Sequence, residues 1–203
     1  MRRSSQIALV AALVIGSAAL GFLLRQAQKP QEPAPAVSEA PSASGANTTT
    51  DLDGAKFVRW AQPRELPHLA FNDEKGRLVS LKDFHGRMVL LNLWATWCPP
   101  CREEMPSLDR LNAKRRSATF EVVALSLDSP EKSQAFLRAI QAQTLRGYTD
   151  HQGGALRTLG LVSVPTTLLI DAKGREIGRT VGPAAWDGPA ALNLIDSITK
   201  EPT

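Results

Sequence analysis

Met88-Val89-Leu90-Leu91-Asn92-Leu93-Trp94-Ala95-Thr96-Trp97-Cys98-Pro99-Pro100-Cys101-Arg102-Glu103-Glu104-Met105-Pro106 carries both cysteines of the 203-residue chain. Its first seven residues are apolar on both faces apart from Asn92, as in a central strand covered on both sides. Met105, Leu108 and Leu111 then recur at three-residue spacing, a helical stripe. The pair Pro99-Pro100 suits only the first turn of that helix, where the missing N–H groups have no intrahelical partner. Two thiols thus stand where a buried strand hands over to a helix.

Outward from that junction the order of elements is α/β. Leu66–Phe71 and Leu78–Leu81 read as two short strands, an N-terminal hairpin joined by the turn Asn72-Asp73-Glu74-Lys75-Gly76. Phe120–Leu127 is a second buried strand, and Pro130–Ala142 a second helix with Ser129 as its cap. Gly153–Leu159 reads as a short helix. Thr166–Ile170 and Glu176–Val181 flank Asp171-Ala172-Lys173-Gly174, a hairpin signal, and Gly188–Thr199 closes the chain as an amphipathic helix. This order predicts a central mixed sheet flanked by helices.

The N-terminal 52 residues are of another kind. Residues 1–6 hold Arg2 and Arg3, and residues 7–24 form an uncharged apolar run. As a helix that run is roughly 27 Å long, barely enough to cross a bilayer, yet longer than the ~7 to 15 apolar residues of a cleaved signal. It therefore reads as a signal anchor, with Ser17-Ala18-Ala19 leaving cleavage as the alternative. The arginines hold the start of the chain in the cytoplasm and send the rest outward. Residues 25–52, rich in Pro, Ala and Ser, cannot bury a core and read as a tether, and residues 53–203 as one domain.

The formal charge of +4 does not point to nucleic acid. Arg2, Arg3, Arg25 and Lys29 precede the domain, and from Asp51 onward 20 basic residues face 18 acidic ones. The densest basic cluster, Lys114-Arg115-Arg116, falls where a helix should end and cations complement its dipole.

A thiol attacks a disulfide as thiolate, and a free cysteine has a pKa near about 8.5. A helix N-terminus at Cys98 lowers that value, chiefly through the Cys101 N–H, because Pro99 and Pro100 contribute none. Cys98 is then the attacking thiol, and Cys101, one turn further in, resolves the mixed disulfide. Other readings stay open on the residues alone. A structural disulfide this short closes little chain entropy. A zinc site needs about four ligands, with only His68, His85 and His151 to join the cysteines. A copper-binding assembly chaperone would use the two cysteines and one histidine. Cys101 is an immediate resolving thiol and no peroxidase-like threonine–cysteine spacing is present, which disfavours a peroxidase.

The run from Trp94 to Pro106 resembles the thioredoxin superfamily, in particular the membrane-anchored thiol:disulfide reductases of the TlpA, ResA and CcmG type. The similarity spans roughly residues 65–200, and Gly182-Pro183-Ala184-Ala185-Trp186 is most similar to the TlpA branch. The resemblance implies a thioredoxin fold with an extra N-terminal β-hairpin. It implies that Pro165, in Val164-Pro165-Thr166, is a cis-proline beside the cysteines, leaving the Val164 backbone to pair with an extended substrate. On its residues alone Pro165 is a strand start. Trp97 is implied as part of the docking surface.

Thioredoxins proper bury an aspartate six positions before the first cysteine, where this chain has Asn92. The resemblance assigns the role of proton acceptor to Glu104 instead; read alone, Glu104 is an acid favourable to the first turns of a helix. The same resemblance implies a cell-envelope enzyme, single-pass in a bacterial inner membrane with its domain in the periplasm. Such an enzyme needs no metal and no cofactor beyond its own redox-active disulfide. Its implied partners are disulfide-bearing proteins, either copper-site assembly proteins or apocytochrome c, and a membrane thiol electron donor. A disulfide-donating oxidant is the rival direction of the same chemistry.

Overall fold

The computed structural model describes residues 46–200. The expected n-region (1–6), anchor (7–24) and most of the tether lie outside those residues. Among the described residues no helix is long and apolar enough to cross a membrane. Nine strands form one sheet: β1 (Thr48–Leu52), β2 (Ala55–Arg64), β3 (Ala70–Asn72), β4 (Leu78–Ser80), β5 (Met88–Trp94), β6 (Phe120–Ser126), β7 (Tyr148–Thr149), β8 (Thr166–Ile170) and β9 (Glu176–Val181). Their order is β1-β2-β9-β8-β5-β6-β7-β3-β4. The helices are α1 (Pro99–Arg115), α2 (Pro130–Ala139), α3 (Gly154–Thr158) and α4 (Pro189–Thr199).

The mixed sheet flanked by helices is the thioredoxin fold. The pair β5–β6 runs parallel, joined by α1, whereas β8 lies antiparallel on the other side of β5. Because side chains alternate along a strand, β5 feeds two cores. Leu90 and Trp94 join Met105 and Leu108 of α1 and Ile195 of α4 on one face. Leu91 and Leu93 join Phe71, Phe84, Tyr148 and Leu168 on the other. Asn92 therefore shares the α1 face with Leu90 and Trp94.

Several boundaries differ from the sequence expectation. Thr48–Leu52, expected in the tether, is a strand, because Leu52 is fully buried and packs with Phe57 in the α1 core. The β1–β2 turn is Asp53-Gly54, both at positive φ (56° and 106°), a two-residue hairpin signal at the very edge of the expected tether. The domain thus carries two hairpins ahead of β5. In the second, Pro67 lacks the N–H that a ladder needs, and pairing begins only at Ala70. The helix α2 stops short of Ala142 because Gln141 takes a left-handed φ of 56°. Ser129 makes no side-chain cap there. The basic cluster at the end of α1 is absorbed locally, with Arg115 on Asp196 at 2.8 Å and Arg116 near Glu121 at 3.9 Å.

Candidate active site

Cys98 is the N-cap of α1, and Pro99 and Pro100 occupy its first two positions as expected. The cysteines form a disulfide with a Cα separation of 5.3 Å. Cys98 is 4% exposed and Cys101 fully buried, so a partner can reach only the Cys98 sulfur. The Cys101 N–H donates to Cys98 Sγ at 3.3 Å. It is the first backbone donor that the two prolines leave available for a Cys98 thiolate. The approach to Cys98 is fixed by the Cys98 N–H on the Ala95 carbonyl (3.2 Å) and the Thr96 N–H on Asp128 (2.6 Å).

Two segments distant in sequence close over this end of the sheet. The Val164–Pro165 bond is cis, and the Val164 carbonyl lies 3.7 Å from Cys98 Sγ. The Pro165 carbonyl is tied down by the Gly182 N–H at 2.9 Å. Trp97 is 67% exposed beside the disulfide. Trp94, by contrast, is fully buried against Phe136, with ring centroids 5.3 Å apart.

Beneath the cysteines lies a buried polar cluster. Glu104, one turn past Cys101 on α1, is 3% exposed. Its Oε1 accepts from Asn92 Nδ2 at 2.6 Å. Its Oε2 accepts from the Ala184 N–H at 3.1 Å and the Trp186 indole N–H at 3.2 Å. Burial in this apolar surround pushes the Glu104 carboxyl up to about 7, against which the three donors pull only in part. A group titrating there can take and return a proton at neutral pH.

Asn92 also donates to Thr167 Oγ1 at 2.9 Å, while its own Oδ1 has no partner. An aspartate here would set two carboxylates against each other. An amide suits both states of Glu104: its NH₂ donates to the carboxylate, and after a half-turn its oxygen accepts from the protonated acid. In the sequence Asn92 shows only as a missing aspartate, and nothing there connects Trp186, Ala184 or Thr167 with Glu104. The segment around Trp186 stands out as a motif, but its spacing does not show an indole pointing 82 positions back along the chain.

The histidines do not join the cysteines. His68 and His85 line a separate cavity with Lys82 and Lys173. That cavity is near the start of β5, whose seven residues put about 20 Å between it and the strand end that leads to Cys98. Among the described residues no group of three or more His, Cys, Asp or Glu side chains converges as a metal site.

A thioredoxin fold with a Cys-Pro-Pro-Cys disulfide at the start of its first helix defines a thiol:disulfide oxidoreductase. The chain belongs to the AhpC/TSA family, which it matches over residues 63–175. It is 35% identical over 121 residues to the thiol-disulfide oxidoreductase ResA of Bacillus thuringiensis subsp. konkukian (strain 97-27), covering 59% of this chain and 69% of ResA. It is 37% identical over 122 residues to the thioredoxin-like protein YneN of Bacillus subtilis (strain 168), covering 59% of this chain and 71% of YneN. Among solved structures it is similar to one assigned as the thiol:disulfide interchange protein DsbE from Chlorobium tepidum. That match has 32% identity and a TM-score of 0.59, and covers 67% of this chain and 96% of the other.

Proposed function

We propose that this protein is a membrane-anchored reductase that opens disulfides in dedicated partner proteins of the cell envelope. The Cys98 thiolate attacks one sulfur of the partner's disulfide; the other leaves as a thiolate and takes a proton from water. Cys101 passes its proton to Glu104, and its thiolate attacks Cys98 Sγ, closing the Cys98–Cys101 bond and expelling the partner's second thiolate. Two electrons pass to the partner, and a membrane thiol donor restores the dithiol. Trp97, Val164 and Pro165 form the docking edge, on which an extended partner segment pairs with the Val164 backbone.

The observation that carries this reading is Glu104, buried one turn from Cys101 and held by three N–H donors, none of them from a cation. Residues 7–24 supply the anchor and the residues between it and β1 the tether, which confine the domain to the membrane surface in the periplasm. The partners we favour are copper-site assembly proteins, with apocytochrome c the alternative.

Cys101→Ser, expressed with the native anchor, freezes the Cys98 mixed disulfide and names the partner. Capture of one or two envelope proteins is expected; indiscriminate capture of exported proteins would remove the dedicated role. A reduction potential well above roughly −180 mV would turn the assignment to a disulfide donor.

A further inference from the structure

The end of the sheet opposite the disulfide carries cations that no carboxylate compensates. Lys173 lies in the turn after Ile170, and Ile170 registers with Val89 at the start of β5. Lys82 stands just before β5, and the Gly86 N–H on the Ala172 carbonyl (2.8 Å) ties the two segments together. Lys200 follows Thr199, whose hydroxyl is 3.9 Å from Met88 Sδ. Among the described residues these three lysines have no acidic partner, whereas Arg87, Arg115, Arg175 and Arg179 at the same end each have one.

Between Lys82 and Lys173 opens a cavity of about 280 Å³, lined also by His68, His85 and a single acid, Glu65. Its other wall is apolar, with Leu69 and Leu81 buried behind the exposed cations. The turn makes room for an imidazole: a Cβ at Gly174 would stand 2.6 Å from His85 Nε2, and Gly174 holds a positive φ of 85°. Ammonium and imidazole donors over an apolar wall suit a phosphodiester together with the glycerol it carries.

The course of the chain says where such a phosphate comes from. The pairings β1–β2, β2–β9, β9–β8 and β8–β5 are all antiparallel, so β1 runs in the same direction as β5. Thr48, its first residue, stands level with Leu90 through Arg59, Gly178 and Leu169. Asn47 continues the path away from the disulfide, its Oδ1 accepting from the Ala61 N–H at 3.1 Å. The chain therefore enters the domain at its cationic end, and what precedes β1 is the stretch read as tether and anchor.

We propose that this end of the domain is a docking surface for an anionic bilayer, with the cavity seating one lipid phosphate between Lys82 and Lys173. The inference rests on the anchor reading of residues 7–24, which keeps the surface within reach of lipid. Docking leaves the disulfide about 20 Å away along β5, on the side turned from the bilayer. Trp97, Val164 and Pro165 then stay open to a partner while the domain is docked.

The full chain is placed in nanodiscs of phosphatidylcholine, alone or with phosphatidylglycerol, and amide hydrogen exchange is followed by mass spectrometry. In the anionic discs residues 81–86 and 172–175 should exchange at least about fivefold more slowly, the effect of one lysine at a charged surface, and residues 95–98 at an equal rate in both. Lys82→Glu with Lys173→Glu should abolish the difference, and so should about 1 M salt, which cuts the Debye length to roughly 3 Å. Equal exchange in the two lipids, or protection that survives the charge reversal, overturns the surface. Protection reproduced in phosphatidylcholine discs by millimolar inorganic phosphate assigns the cavity to a free anion and overturns the lipid. A chain that does not stay in the discs removes the anchor reading, and flotation of that chain with phosphatidylglycerol vesicles then decides the surface by itself. Binding that the charge reversal abolishes upholds it; absent binding, or binding that ignores the reversal, overturns it.

Discussion

Glu104 and Glu121 are buried to the same degree, 3% and 2% exposed, and live in opposite worlds. Glu121 sits on β6 beside the start of β5, its carboxylate 2.5 Å from Arg87 and 3.9 Å from Arg116. Glu176 is held likewise by Arg179 at 2.6 Å through both oxygens. Glu104 has only N–H groups from an amide, an indole and a backbone. A guanidinium carries a full charge that compensates a buried carboxylate; neutral donors compensate part of it and leave the proton affinity high. The domain therefore holds two buried carboxylates against guanidinium partners and a third, on α1, against neutral donors alone.

The largest break in that contrast is Glu104→Gln, which keeps shape and loses the exchangeable proton. Resolution of the Cys98 mixed disulfide should slow by about 10²- to 10⁴-fold, the usual range for a positioned general base. The initial attack by Cys98 should change far less. Stopped-flow measurement of the two phases separates them, and equal slowing of both would place Glu104 in stabilising the Cys98 thiolate instead.

The same contrast sets a pH dependence of stability. The Glu104 carboxyl titrates at about 7 in the folded protein against 4.5 for an exposed glutamate, so the fold favours its neutral form. That advantage is whole below pH 4.5, shrinks between 4.5 and 7, and is gone above 7. Urea unfolding of the oxidised protein should lose roughly 3 kcal/mol across that window from this group. Glu104→Gln should remove that slope. An unchanged slope in the variant would assign the dependence to other groups.

Legibility in the sequence tracks how local each feature is. Apolar continuity from Met88 to Trp94, two prolines after Cys98 and the stripe Met105, Leu108, Leu111 act within one element, and the structure has each of them. The hairpin of β1 is hidden because Thr48-Thr49-Thr50-Asp51-Leu52 is mostly polar and its burial depends on one leucine. The Glu104 cluster draws on β5, α1, β8 and the loop before α4, and no periodicity links residues 92, 104, 167 and 186. Resemblance points to Glu104, but its neutral-donor environment exists only once the chain is folded.

Arg87→Met tests the other member of the pair. It strips Glu121 of its nearer cation and leaves Arg116, so the loss should be smaller than for a fully orphaned ion, about 2 kcal/mol given that Arg87 is itself 31% exposed. Denaturant unfolding measures it. Resolution kinetics should be unaltered, and a change there would tie the two ends of the sheet together in a way the present contacts do not.

Trp186→Phe is the finest adjustment, since it removes one donor from Glu104 Oε2 while leaving an aromatic ring in a fully buried position. Losing one hydrogen bond to the charged form moves the Glu104 pKa further up, by about one unit for ~1.4 kcal/mol of interaction. At pH 7 the ionised fraction then falls from about a half to about a tenth, and resolution slows about fivefold. At pH values well above the new pKa the carboxylate is fully formed again and the rate should return toward wild type. A packing defect from the smaller ring would lower the rate at every pH alike, so the alkaline recovery decides whether Trp186 positions the charge of Glu104 or merely fills the core.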